Sequence, residues 1–196
     1  PELIEYLDTV GENVFKELLP DVYPNKQAVI DRFVEVSEAV AEFYIEHCTP
    51  DGIVFWDTGA PGLAQLGDYL NRPADPFNDH EPVDSSSAAI CAQGFLRLGR
   101  FLRNSGYEER GRRYIQTGLS LAATLLDEPY LSTDPDHQGL LLHSVYHRPN
   151  GWDHVPEGRN VPCGESCMWG DYHLMELGVY LQRLANGGPY HKYFLP

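Results

Sequence analysis

Apolar residues recur every three to four positions over most of this chain, the spacing of a helix face rather than of a strand. From about Gln27 to His47, Ile30, Phe33, Val40, Phe43 and Tyr44 keep that spacing. Asp31, Arg32, Glu35, Glu38 and Glu42 fall between them, so the segment predicts an amphipathic helix with one solvated face. A second striped helix is predicted from about Glu108 to Leu126. There Arg110, Arg112 and Arg113 alternate with a face of Tyr114, Ile115, Leu119, Ala122 and Leu125. A third long helix is predicted from Asp84 to about Asn104. Ala88-Ala89-Ile90-Cys91-Ala92-Gln93-Gly94-Phe95-Leu96 is apolar on nearly every side, which predicts a helix buried all round. Its start, Asp84-Ser85-Ser86-Ser87, supplies short polar side chains that can accept bonds from the first-turn amides.

Two further helices complete the pattern. One runs from about Glu2 to Leu19 and stops at Pro20, with Pro20 and Pro24 bracketing a turn. The other runs from about Glu165 to Ala185 and ends at Gly187-Gly188-Pro189. Two long irregular segments separate these elements, about Cys48 to Val83 and about Asp127 to Gly164. The first carries Phe55, Trp56, Tyr69 and Phe77, which suits a packed loop, with a short helix near Gly62 to Leu70.

Striped and all-apolar helices alternate, so the expected architecture is concentric: an inner helix layer covered on both sides and an outer layer facing water. Ala88, Ala89, Cys91, Ala92 and Phe95 should be almost fully buried, and Glu35, Glu38, Arg110 and Arg113 exposed. Both long loops lead from an outer helix into an inner one, so their tips should meet at one end of the stack. No fixed-period repeat is visible.

Composition narrows the function classes. The 196 residues make one domain, 1–196, large enough to bury a core. A formal net charge of −15 argues against nucleic acid, whose phosphates need clustered Lys and Arg. No apolar run approaches the roughly 20 residues of a membrane helix, and the N-terminus has no signal-peptide pattern. Cys48, Cys91, Cys163 and Cys167 lack metal-type spacing, which points to reduced thiols and a cytoplasmic location.

Several side chains could carry chemistry, and each has a structural reading beside it. Asp84 is a candidate acid but also a natural helix N-cap. Asp57 follows Trp56 in a Gly/Pro-rich loop; the pair suits a sugar site or an anchored turn equally. His143, Tyr146, His147 and Trp152 form an aromatic, hydrogen-bonding cluster. The i, i+4 spacing of His143 and His147 would suit a metal only on a helix, whereas Ser144-Val145-Tyr146 reads as extended. Cys167 with His173 carries no recognisable nucleophile signature, and a small apolar filler is the better reading. Ser166 and Trp169 are candidate substrate contacts, and Asp171 is a cap or a weak catalytic candidate.

Three segments together carry a family resemblance. They are Trp56-Asp57-Thr58-Gly59-Ala60-Pro61; Pro82-Val83-Asp84-Ser85-Ser86-Ser87-Ala88-Ala89-Ile90; and residues 139–151, starting Gly139-Leu140-Leu141-Leu142-His143, followed by Glu165-Ser166-Cys167-Met168-Trp169-Gly170-Asp171-Tyr172. In this order they resemble the C-terminal half of unsaturated glucuronyl hydrolases. The resemblance covers about residues 31–185, and residues 1–30 have no clear match.

The resemblance implies an all-α (α/α)6-barrel fold, here a partial barrel of about five long helices. It implies removal of a Δ4,5-unsaturated uronic acid from oligosaccharides left by polysaccharide lyases. The ring's vinyl ether is hydrated by acid–base catalysis, with no metal and no cofactor. The implied partner is such an oligosaccharide, with Trp56, Asp84, His143, His147, Trp152, Ser166 and Trp169 as substrate contacts. Twelve helices of roughly 15–20 residues exceed this chain's length. The family's catalytic aspartate pair belongs to its N-terminal half and finds no place here, which leaves Asp57, Asp84 and Asp171 as weak catalytic candidates. A non-catalytic carbohydrate-binding or interaction domain built on the same fold is the alternative, with a sugar epimerase of another α/α-barrel class behind it. A missing half or a second copy of the chain would cover the open flank.

Overall fold

The computed structural model describes residues 1–18 and 22–188, and they form six α-helices with no strand among them. The helices are α1 (Glu2–Thr9), α2 (Glu12–Leu18), α3 (Lys26–His47), α4 (Ser85–Asn104), α5 (Glu108–Leu125) and α6 (Met168–Ala185). The four long ones start and stop close to where periodicity places them. Local chemistry fixes their N-termini: the Asn25 carboxamide accepts from Ala28 N–H at 2.9 Å, and Asp84 caps α4.

Five expectations about the elements and their burial need correction. The first helix is two short ones, broken at Val10-Gly11; Leu19 and Pro20, its expected end, lie outside the described residues, as does Pro189. The last helix begins at Met168, three residues late, because Glu165 and Ser166 stay in the loop and Cys167 caps the helix through its Sγ. The short helix near Gly62 to Leu70 is instead two 3-10 turns, Pro61–Gln65 and Tyr69–Asn71. Cys91 is only half-buried, and Glu38 is half-buried rather than exposed because Arg110 folds over it.

The inner layer is α4 with α6 beside it; α3 and α5 lie outside. Ala88, Ala89, Ala92, Phe95, Leu96 and Leu98 of α4 are buried, but Ile90 is 41% exposed, so α4 is not covered all round as its apolar sequence predicts. The closest pairing is α4 on α5, and glycines make it possible. A Cβ on Gly99 would stand 2.6 Å from the Gly111 carbonyl oxygen, so only glycine lets the two backbones meet there. The outer helices are joined side by side. Arg113 pairs with Glu42 at 2.6 Å, Tyr114 donates to the same carboxylate at 2.7 Å, and Arg110 forks onto Glu38. Exposed pairs of this kind contribute at most about 1 kcal/mol each and fix register more than stability.

The N-terminal helix is the unexpected element. α1 lies on the side of α4 turned away from α5, and it touches α3 as well. Ile4 and Glu5 are buried there, and Glu5 accepts from Arg97 at 2.8 Å with both side chains sealed from water. The Arg97 guanidinium also sits 4.9 Å over the Tyr180 ring of α6. A buried pair of this type adds little net stability but costs several kcal/mol to break, so it fixes where α1 docks.

Candidate functional site

The two long loops converge at the N-terminal ends of α4 and α6. An antiparallel bridge pairs Phe55 with Val83, which brings the first loop back to the start of α4. The second loop is pinned to the same place: Ser85 N–H donates to the His143 carbonyl at 3.1 Å, and Ser85 Oγ donates to the Leu142 carbonyl at 2.7 Å. Arg159 of the second loop donates to the Phe77 and Asn78 carbonyls of the first. The convergence expected from the outer-to-inner connections is therefore present.

Carboxylates at this end are committed to holding backbone. Asp84 Oδ1 accepts from Ser86 N–H (3.1 Å), Ser86 Oγ (2.6 Å) and Val145 N–H (3.3 Å), while Oδ2 accepts from Ser87 Oγ (2.5 Å). It caps α4 and fastens the second loop to it. Asp171 does not cap its own helix. Its two oxygens accept from Leu140 and Leu141 N–H at 2.8 to 3.1 Å, which holds a loop thirty residues away. Asp57 is exposed and accepts from Gly59 N–H at 2.7 Å, closing a local turn.

Two carboxylates that sequence reasoning passed over do similar work. Glu81 is buried and accepts from the Trp56 indole N–H at 2.7 Å and from Gly62 N–H at 2.8 Å. Asp153 accepts from Tyr146 and His147 N–H and shapes the turn that presents Trp152. The partners of Glu81 lie 25 and 19 residues away, while those of Asp153 lie 7 and 6 away within one loop. The sequence signal for Asp153 is its place just after a glycine, in Gly151-Trp152-Asp153, a glycine that the structure places at φ +64.

The two histidines are placed differently. His143 is only 3% exposed and sits at φ +65, a conformation few side chains adopt. Its Nδ1 accepts from Gly164 N–H at 3.0 Å, and its ring meets Phe77 and Tyr130 edge-on. Burial lowers its pKa to about 4 against a weaker opposing pull from Asp75, so the ring is neutral near pH 7. His147 is half-buried; its Nδ1 accepts from Asn150 N–H at 3.3 Å and its ring lies 4.9 Å from that of Trp152.

What remains open at this end is aromatic. Tyr146 stacks on Trp169 with centroids 5.1 Å apart and planes 21° from parallel. Trp152 stands 6.1 Å from Tyr146 and is 62% exposed. Trp169 is anchored beneath by its indole N–H on Ser86 Oγ at 3.3 Å. Ser166 is packed so tightly over Gly139 that a Cβ there would meet its Oγ at 1.6 Å. Thus Trp152, His147 and Trp169 come together in one surface with Tyr146. Asp84, through Val145 N–H, and His143, through Gly164 N–H, hold the second loop that carries it, whereas the Trp56 indole turns to Glu81 within the first loop. A separate cleft of about 780 Å³ lies at the far end of α4, lined by Asp8, Asp31, Glu35, Glu38, Tyr107 and Arg110. Its four carboxylates make it a poor receiver for an acidic sugar.

No family model matches the chain. In sequence it is 24% identical over 154 residues to the unsaturated glucuronyl hydrolase of Bacillus sp. (strain GL1), an alignment covering 79% of this chain and 34% of that protein. A solved unsaturated glucuronyl hydrolase specific for heparin superposes on 80% of the chain and 35% of its own, with a TM-score of 0.59 and 21% identity. The Bacillus sp. GL1 enzyme, responsible for the degradation of glycosaminoglycan, gives a TM-score of 0.57 at 24% identity over 83% of this chain and 36% of that one. A variant of such an enzyme solved with dGlcA-Glc-Rha-Glc aligns equally well. The chain spans about a third of the length of these proteins, and in sequence and in fold it is similar to part of an unsaturated glucuronyl hydrolase, an α/α-barrel glycoside hydrolase.

Proposed function

We propose that this chain forms a sugar-binding end of an unsaturated glucuronyl hydrolase-type barrel, and that an oligosaccharide ending in a Δ4,5-unsaturated uronic acid lies on the Tyr146–Trp152–Trp169 surface. The observation that carries the reading is the exposure of Tyr146 and Trp152, with Tyr146 stacked on the half-buried Trp169, over the joined N-termini of α4 and α6. A pyranose presents a face of C–H bonds that packs on an aromatic ring, while His147 and neighbouring amides suit its hydroxyls. The assembled hydrolase would release the uronic acid by hydrating its vinyl ether, a reaction that needs one group to protonate carbon and another to activate water. Asp84 and Asp171 are spent on backbone, which supports a scaffold and substrate-contact role for this segment. The same commitment favours the second reading, a carbohydrate-binding domain without catalysis. In the first reading a missing half or a second copy completes the fold.

Titration with an unsaturated uronyl disaccharide, followed by tryptophan fluorescence, tests the binding. A saturable change is expected. Trp152→Ala should weaken it about tenfold, equivalent to about 1.4 kcal/mol. No response at millimolar disaccharide, or equal affinity in the variant, would remove the aromatic surface from the proposal.

A further inference from the structure

With 29 Asp and Glu against 14 Lys and Arg, a cation in this chain has acceptors in plenty. Arg97, Arg110 and Arg113 each hold a carboxylate. The two long loops carry Arg72, Arg148 and Arg159 and no Lys. Arg72 donates to the Leu66 carbonyl at 2.7 Å. Arg159 donates to the Phe77 and Asn78 carbonyls and lies 3.4 Å from Asp79. Arg148 differs from both. It is half-buried, and its guanidinium meets no carboxylate, carbonyl or ring among the described residues. The nearest acid along the chain, Asp153, is committed to the Tyr146 and His147 amides.

The turn that carries Arg148 is strung between exposed Tyr146 and exposed Trp152. Asp153 closes its base, His147 Nδ1 accepts from Asn150 N–H at 3.3 Å, and Gly151 N–H donates to the Arg148 carbonyl at 3.0 Å. The turn thus meets these backbone groups from within, and the Arg148 guanidinium keeps its donors for something else. We propose that Arg148 is the anion-recognising residue of the aromatic surface. Its guanidinium takes an oxyanion of the oligosaccharide, a uronate carboxylate or a sulfate ester, while a sugar face lies on the neighbouring rings.

Electrostatics makes a local cation necessary for such a ligand. A net charge of −15 repels an acidic sugar from the molecule as a whole. Salt screens that repulsion beyond about 8–10 Å, so the groups at the surface itself decide. Arg72 and Arg159 are spent on the loops, which leaves Arg148. A guanidinium presents its N–H groups as a planar fork, and two of them fit two oxygens of one carboxylate or sulfate. A neutral sugar would return nothing for the partial desolvation of this charge, whereas an oxyanion replaces the lost water with charge-assisted hydrogen bonds. The inference rests on the reading of Tyr146, Trp152 and Trp169 as the sugar surface, and it names the class of sugar that surface selects.

Fluorescence titrations that vary ligand charge and Arg148 separately decide it. The ligands are an unsulfated unsaturated uronyl disaccharide, its uncharged methyl ester, and the same disaccharide bearing a sulfate ester. Wild type should bind an anionic form about 10- to 100-fold more tightly than the form lacking that anion, the scale of one hydrogen bond to a charged group. Arg148→Gln should abolish the preference with an unchanged far-UV circular dichroism spectrum, and Arg148→Lys should keep part of it. A preference for the free acid over its methyl ester assigns the carboxylate. A preference confined to the sulfated form over the unsulfated one assigns the sulfate. The ligand comparison needs no variant, so it decides even where Arg148→Gln does not fold. Wild type that binds all three ligands alike, or Arg148→Gln that keeps the preference, would overturn the inference and leave the aromatic surface standing. Wild type that binds none of them would remove both.

Discussion

The two long loops end at the same place but are built on opposite principles. The first, from Cys48 to Val83, is folded inward apart from exposed Leu70 and Phe77. Ile53, Val54, Phe55, Ala60, Leu63, Leu66 and Val83 are buried, and its polar groups face each other around Glu81 and Asn78. The second, from Leu126 to Cys167, is fastened at its base by Asp84, Asp171 and Ser85 and then opens outward, leaving Leu140, Tyr146, Trp152 and Val155 in water. A loop that satisfies its own polar groups has little left to offer a ligand. A loop held by residues outside itself can leave its aromatic tips free. The same residue type thus carries different work in each: Trp56 donates inward to a buried carboxylate, while the Trp152 ring meets Tyr146 and His147 at tilted angles and stays exposed.

The largest effect should come from the inward loop. Glu81→Ala leaves the half-buried Trp56 indole and the buried Gly62 amide as donors without their acceptor. Stability should fall by about 2–4 kcal/mol in urea unfolding, since each stranded buried group costs roughly 1–3 kcal/mol. Trp152→Ala, in the outward loop, should stay within about 0.5 kcal/mol of wild type. Equal losses from the two variants would erase the distinction between the loops.

A smaller effect is tied to pH and sharpens the view that the outward loop has a rigid base. His143 titrates near 4 in the folded chain but near 6.5 when unfolded. Above pH 6.5 both states are neutral and its contribution is constant. As pH falls from about 6.5 toward 4, the unfolded chain takes up a proton that the native ring refuses, so stability declines across that window and levels off below it. Asn tolerates positive φ and can still accept from Gly164 N–H. His143→Asn should therefore flatten the decline while preserving the fold, as read from urea midpoints at pH 7, 5.5 and 4.5. An unchanged slope in the variant would assign the acid sensitivity elsewhere.

Those variants rest on contacts of unequal visibility in the sequence. The layer order was legible because burial on one or both sides sets helical periodicity, and Asp84 was legible because a cap is a local device. The meeting of the loops was legible too, since it follows from which layers they connect. Glu81 was not, because its partners Trp56 and Gly62 lie 25 and 19 residues away and no local pattern marks them. Asp171 looked like a helix-start acid and instead holds Leu140 and Leu141, a choice that only tertiary packing makes. The docking of α1 was hidden for the same reason: a buried pair between Glu5 and Arg97, 92 residues apart, looks from sequence like two ordinary surface charges.

The smallest expected effect concerns the one loop acid that is both exposed and next to a tryptophan. Asp57 makes a single bond to Gly59 N–H, and Asn can make the same bond through its carbonyl oxygen. Asp57→Asn should therefore shift stability by less than about 0.5 kcal/mol, as exposed substitutions usually do. It should also leave any turnover of unsaturated uronyl disaccharide unchanged, because the inward loop is proposed as support and not as chemistry. The ultraviolet absorbance of the substrate's double bond, followed over hours, reads this directly. Wild-type chain should consume little or none, since losing a positioned acid or base typically costs roughly 10²–10⁴-fold. Should wild type turn over substrate at a measurable rate and Asp57→Asn abolish it, the inward loop would hold a catalytic acid. The division of labour between the loops would then run the other way, with Trp152 and Tyr146 serving an active centre beside Trp56.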